Sequence, residues 1–350
     1  MNSDPKGVPM SDSLQVASEK AAEVPDTSGT RAATLADHVF RNPVLGPLSA
    51  LVLAVVAFSI LTENFASVDN FSLILQQSVV VGTLALGQTL IVLTGGIDLA
   101  NGAIMVLGTL VVAKLAAGST GAQVPALFAG LLVCAALGLV SGLIVSKLGL
   151  PPFIVTLGLL TILQAASRLY TKETVLVDDG PLTLLSKGGY LFGQFQVTTG
   201  VVVVLISVAV LHYALTRTAW GRHVYAVGNN DLAAKRTGIN VNRVLLSVYV
   251  LAGVFYALAA LQAFGRSPAT SPNAFPTANL DTITAVVIGG TSLFGGRGTV
   301  VGTYIGALIV LVLQSGLTQA GIDPLYQNIV TGVLVIAAVA LDTVTRRKAR

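Results

Sequence analysis

The chain has 350 residues, 53% of them hydrophobic and only 10% charged, with a mean hydropathy of +0.80. Soluble domains carry about 25% charged residues, so a conventional water-exposed surface is excluded. The net charge of +4 comes from basic residues at the ends of apolar runs, a pattern of membrane topology rather than of nucleic-acid binding.

Residues 1–43 form a polar leader in which Pro5, Pro9 and Pro25 stand among small, acidic and hydroxyl side chains. The leader reads as disordered and cytoplasmic. It is not expected to be a cleaved signal peptide, because a positive start close to an apolar core is missing.

Ten apolar spans follow within a transmembrane body of residues 44–345. They are Val44–Leu61, Phe71–Leu93, Leu99–Lys114, Val124–Val145, Pro152–Arg168, Val197–Leu215, Val244–Phe264, Leu280–Leu293, Val300–Leu317 and Tyr326–Val344. Most have the length of about 17–25 residues that crosses a bilayer core as a helix. Their continuous apolarity, without alternation, excludes a β-barrel. The expected fold class is therefore all-α, a polytopic integral membrane protein with about ten transmembrane helices. The third and eighth spans are short and broken by glycine, which lipid tolerates only where protein satisfies the backbone.

With both termini cytoplasmic, only Lys114, Arg168, Lys172, Lys187 and Arg266 of the 20 lysines and arginines fall on the outer side. That asymmetry sets the expected orientation. It leaves an outer loop at 169–196, an inner segment at 216–243 and a basic cytoplasmic tail at 346–350.

The inner segment contains Asn229-Asn230-Asp231-Leu232-Ala233-Ala234-Lys235-Arg236-Thr237-Gly238-Ile239, which reads as one short helix. Asn229 or Asn230 caps it, Asp231 and the Lys235-Arg236 pair suit its dipole, and Gly238 stops it. Ala233 and Ala234 offer a small face to a cleft in another protein; an ordinary exposed connector is the plainer reading.

Two glycine-rich turns, Gly95-Gly96-Ile97-Asp98 and Gly295-Gly296-Arg297-Gly298, are expected on the same inner side. Neither carries the Gly-Lys-Ser/Thr ending of a P-loop. Asp98 reads as a helix cap or a group that touches a partner or solute. Asp281 reads as a cap in the outer headgroup layer or a group on a water-lined route. Gln76, Gln77, Gln88, Gln164, Asn279 and Gln314 are packing amides which together can line a path for a hydroxylated solute. His38, His212 and His223 are scattered and Cys134 is the single cysteine, so no metal site, cofactor or catalytic residue is expected.

Leu93-Thr94-Gly95-Gly96-Ile97-Asp98-Leu99, Pro151-Pro152-Phe153-Ile154-Val155-Thr156-Leu157-Gly158 and the run Ala285–Gly298 together resemble the permeases of ribose-, xylose- and galactose-type carbohydrate ABC importers. The resemblance covers the chain from Phe71 to its C-terminus. It implies a bacterial inner-membrane subunit that works with a separate ABC ATPase, an extracytoplasmic solute-binding protein and a second permease subunit, as a homodimer or with a related chain. The substrate it implies is a monosaccharide.

On that resemblance the segment from Tyr225 to Ile239 is a coupling element, with Gly228, Asn229, Asn230, Asp231, Ala233, Ala234 and Gly238 as its candidate residues. It lacks the Glu-Ala-Ala start of other ABC permease groups, so the docking role transfers without any one residue contact. Gln76, Gln88, Gly95, Gly96, Asp98, Asn279 and Asp281 are the candidates for translocation or gating. A permease for a nucleoside or autoinducer, and a membrane scaffold without transport, are the alternatives.

Overall fold

The computed structural model describes residues 44–348 except 187 and 192–194. The leader, Lys187 and the last two residues of the basic tail lie outside the described residues.

Helices α1 (Leu45–Leu61), α2 (Val68–Leu93), α3 (Asn101–Ala116), α4 (Gln123–Leu148) and α5 (Pro152–Tyr170) form the first half. After them come α6 (Thr199–Arg217), two short helices α7 (Ala219–Asn229) and α8 (Asp231–Arg236), then α9 (Val241–Arg266), α10 (Ala278–Ile288), α11 (Val300–Gln319) and α12 (Pro324–Lys348). Six helices, namely α2, α4 with its leading turn, α5, α6, α9 and α11, are long and apolar enough to cross a membrane, while α1, α3, α10 and the apolar part of α12 are shorter. The chain is an all-α polytopic membrane protein.

The segment between α5 and α6 supplies strands to two small antiparallel pairs, one of them completed by a strand after α9. Strand β1 (Val175–Leu176) pairs with β4 (Ala269–Thr270), and β2 (Gly188–Leu191) pairs with β3 (Phe195–Thr198). Hydropathy does not register strands this short.

Helix α2 is the axis of the bundle. Its Leu84, Leu86, Leu90, Ile91 and Leu93 are wholly buried, and it packs against α9 and α11. By contrast α1, α5 and α6 turn large apolar side chains outward, among them Leu53, Ile60, Ile162 and Val210. In water such faces would be unstable; lipid solvates them at no such cost. Close packing between α4 and α9 depends on glycine, because a Cβ at Gly253 would lie 2.5 Å from the Cys134 carbonyl oxygen. Glycines on α2 pack likewise, Gly82 against the Tyr304 ring and Gly87 against the Tyr256 ring.

One expectation needs correction. The eighth span was expected to reach Leu293, but α10 stops at Ile288. Gly290 has φ +83°, its N–H donates to Val287 O, and Thr291 N–H donates to Val286 O, the pairing of a Schellman stop. Averaged hydropathy sees the apolar residues on both sides of this stop and misses the break.

The 229–239 stretch holds the short helix expected there, α8, with Asp231 in its first turn, Lys235 and Arg236 in its last, and Asn230 rather than Asn229 as its cap. Asn229 closes α7, whereas Asn230 Oδ1 accepts from Ala233 N at 2.9 Å and starts α8. Gly238, at φ +87°, terminates α8 as its sequence position suggested.

Candidate functional site

Helix α2 ends by the same device as α10. Gly95 takes φ +80°, its N–H donates to Val92 O (2.9 Å), and Gly96 N–H donates to Ile91 O (3.0 Å). The chain then crosses as Ile97-Asp98-Leu99-Ala100 before α3 begins. Three other segments that stand far apart in sequence converge on this crossing.

Gly296, at φ +74°, donates its N–H to the Leu93 carbonyl at 2.9 Å. Gly228, near the end of α7, packs so closely that a Cβ there would fall on the Leu93 carbonyl oxygen and lie 2.7 Å from Gly296 N. Tyr225, one turn earlier, donates its hydroxyl to Gly298 O at 2.9 Å; burial raises the pKa of its phenol and keeps it a donor. From α5, the Thr156 hydroxyl lies 3.0 Å from Ile97 O, and Gly96 faces Pro152. The result is a knot of backbone joining the α2–α3 crossing, the 290–298 turn, the start of α5 and the α7–α8 segment.

A buried polar cluster adjoins the knot. Asp98 is 1% exposed; its Oδ1 accepts from Ala100 N (2.7 Å) and its Oδ2 from the Tyr256 hydroxyl (2.9 Å). Asp98 thus serves the start of α3, the plainer of its two sequence readings, and also binds α9. With its amide oriented to satisfy both atoms, Gln88 donates to Asp98 O (3.0 Å) and accepts from Asp98 N (3.3 Å). Asn101 Nδ2 donates to Thr282 Oγ1 at 2.8 Å, and Asn279 Nδ2 reaches Leu99 O at 3.4 Å.

The candidate translocation residues are therefore not all neighbours. Gln88, Gly95, Gly96, Asp98 and Asn279 gather on the crossing. Asp281, 8% exposed, accepts instead from Thr277 Oγ1 (3.0 Å) and Gln314 Nε2 (3.2 Å), tying α10 to α11. Gln76 stands on α2 about 18 Å from Gln88 at 1.5 Å per residue. Its Nε2 donates to Gln196 Oε1 at 3.3 Å, beside the segment between α5 and α6.

Among the coupling candidates, Ala234 is a correction. It is 4% exposed and packs inward against the chain's own core, so it offers no face to a partner. The other five residues of α8 are exposed, Leu232 at 68%. In a helix this short, one residue of rotation decides which side faces out.

Sequence reading missed Tyr256, Tyr249, Asn101 and Thr282. A signal was present for the tyrosines: they lie seven residues apart in an otherwise apolar helix and so share one face. Tyr249 is 1% exposed beside Gly96, and its hydroxyl has no hydrogen-bond partner among the described residues. Nor do the described residues contain a His, Cys, Asp and Glu grouping able to hold a metal ion.

Residues 70–339 match the family described as branched-chain amino acid transport system / permease component. The chain is 44% identical over 314 residues to the fructose import permease protein of Rhizobium meliloti, covering 88% of this chain and 87% of that one. It is 37% identical over 303 residues to the ribose import permease protein of Bacillus subtilis, covering 85% and 92%. To the galactose/methyl galactoside import permease protein of Escherichia coli it is 35% identical over 308 residues, covering 84% and 91%. No solved structure matches the chain.

Proposed function

The chain belongs to this family of transport-system permease components, and from that premise we propose that it is the membrane-spanning subunit of an ATP-driven monosaccharide importer. It sits in the bacterial inner membrane with ten transmembrane helices, the six long ones and the four shorter apolar ones, and with both termini cytoplasmic. A separate ATPase supplies the energy, an extracytoplasmic binding protein delivers the solute, and a second permease subunit, a copy of this chain, completes the path. Fructose, ribose and galactose import by the relatives supports a monosaccharide as cargo.

One observation carries the mechanical part of this reading: the contact of Gly228 with the Leu93 carbonyl and Gly296. Helix α8 is the outward end of a short rigid arm, α7–α8. At its base the arm touches backbone of two crossings that interrupt the membrane helices. A push on α8 by a motor is delivered to Leu93 and Gly296 with no flexible side chain between. The crossing that holds Asp98 then moves with it.

Reconstitution with the ATPase and binding protein tests the reading. ATP-dependent accumulation of a labelled monosaccharide is the expected result. Accumulation of leucine or a nucleoside instead of any sugar would replace the substrate class, and partner binding without flux of any solute would leave a scaffold. Within the working complex, Leu232→Asp and Ala233→Trp are expected to lower transport-coupled ATPase activity about tenfold while leaving membrane insertion intact. Unchanged coupling in both would remove α8 as the docking element. Ala234→Trp is expected to act differently, lowering thermal stability because its side chain has no room.

A further inference from the structure

A cavity of about 110 Å³ lies between α3, α5, the 272–276 loop and the first turn of α10. On the measure in which one water needs about 10–15 Å³, that is room for several water-sized groups, the scale of one small solute. The 272–276 loop follows β4, and Gly102 and Asn279 carry the lining toward the α2–α3 crossing.

Its lining divides into two kinds. Ala103, Val106 and Leu160 form an apolar wall, and Gln164, Ser167, Arg168, Asn273 and Asn279 bring polar groups to it. Such a mixture, mostly smooth wall with a few placed hydrogen-bonding groups, suits a ring whose faces are C–H and whose edge is hydroxyl.

Ser167 sets this cavity apart from ordinary helix packing. Other serine hydroxyls in the helices find partners, Ser141 with Leu137 O at 2.9 Å, Ser207 with Val203 O at 2.8 Å and Ser315 with Asn70 Oδ1 at 2.7 Å. Ser167 is 1% exposed, yet its Oγ has no hydrogen-bond partner among the described residues. A buried hydroxyl left unpaired costs about 1–3 kcal/mol, a cost that a bound hydroxylated solute would relieve.

A second, independent observation comes from the 272–276 loop. Phe275 has φ +52° and is the only non-glycine residue with positive φ among the described residues. A bulky residue in that region stores roughly 1–3 kcal/mol of strain, which persists only where surrounding structure enforces it. Phe275 is part of the cavity lining, on the same loop as Asn273.

We infer that this cavity is a seat for one monosaccharide ring within a single subunit, its hydroxyls met by Gln164, Ser167, Arg168 and Asn273 and its C–H face by Phe275. The inference rests on the import reading above and names the residues that hold the cargo on the outer side. Asn279, which also bonds Leu99 O, connects the seat to the crossing that carries Asp98.

The test uses the complete importer in vesicles. Cys134 is buried and is the only cysteine, so Cys134→Ala provides a background in which Asn273→Cys is the single thiol. A membrane-impermeant maleimide added outside is expected to modify that thiol. Millimolar amounts of the transported monosaccharide should slow the modification at least threefold, whereas leucine should not. Adding Gln164→Ala or Ser167→Ala should abolish the protection and lower the import rate about tenfold, with ATPase stimulation by the binding protein retained.

No modification from outside, or modification unchanged by sugar together with normal import by the Gln164→Ala protein, would overturn the seat while leaving the import reading intact. Failure of the unaltered complex to import any monosaccharide would overturn the import reading and the sugar seat together.

Discussion

Replacing Gly228 with alanine is expected to abolish transport, lowering the import rate at least a hundredfold, and to lower the unfolding temperature of the detergent-purified protein. The added Cβ would fall on the Leu93 carbonyl oxygen and lie 2.7 Å from Gly296 N. Both obstacles are backbone, so no rotamer change makes room. The α7–α8 arm must move away, and the hydrogen bond from Gly296 N–H to Leu93 O is strained or lost. Overpacking of this kind costs about 1–3 kcal/mol in a core, and a severed buried backbone bond adds to it.

Gly158→Ala is the control, because nothing lies within 4 Å of a Cβ built there. In the exposed interior of α5 this change should be neutral or stabilising by up to about 1 kcal/mol. Wild-type import and stability in the Gly228→Ala protein would show that the arm does not rest on Leu93 as described.

The second large effect concerns Asp98. Its carboxyl accepts from two buried donors, Ala100 N–H and the Tyr256 hydroxyl, on different elements of the chain. Asp98→Ala leaves both donors without that acceptor and is expected to destabilise the protein by about 3 kcal/mol, at about 1–3 kcal/mol for each unsatisfied group. Transport should fall with it, since the α2–α3 crossing is no longer held to α9. Asp98→Asn keeps one carbonyl acceptor for Ala100 and can donate its amide to the tyrosine oxygen, so its cost should be near 1 kcal/mol.

Tyr256→Phe separates the two bonds. It removes the α9 contact alone and should resemble Asp98→Asn in stability. Equal thermal stability in the Asp98→Ala protein and the parent would show that this carboxyl is not a structural tie. Equal transport would in addition remove it from the candidates for the path.

Most of what governs this protein's solvent was legible in the order of its residues. A helix in lipid has to satisfy its own backbone, so a run of apolar residues such as Val300–Leu317 predicts a spanning element without knowledge of any neighbour. Local stops were legible where one residue suffices, as with Gly238. They were missed where the apolar average ran across them, as at Gly289-Gly290. The two glycine-rich turns were visible as turns, but nothing in their spacing states that Gly95 and Gly228 both meet Gly295.

Burial inside a membrane protein is likewise hidden from composition, because lipid-facing and protein-facing positions are equally apolar. Helix rotation is hidden as well: Ala233 and Ala234 are the same residue type on α8, one exposed and one buried, and Gln76 and Gln88, both amides on α2, belong to different neighbourhoods. By itself the sequence determined the lipid-embedded helical body and its capped, glycine-broken turns, since these depend on solvation and on hydrogen bonds a few residues apart. Tertiary structure alone decided which backbone touches which, which polar side chains share the Asp98 cluster and which hydroxyl stays unpaired in the cavity. Those outcomes depend on helix rotation and crossing, quantities set by the packing of segments more than a hundred residues apart.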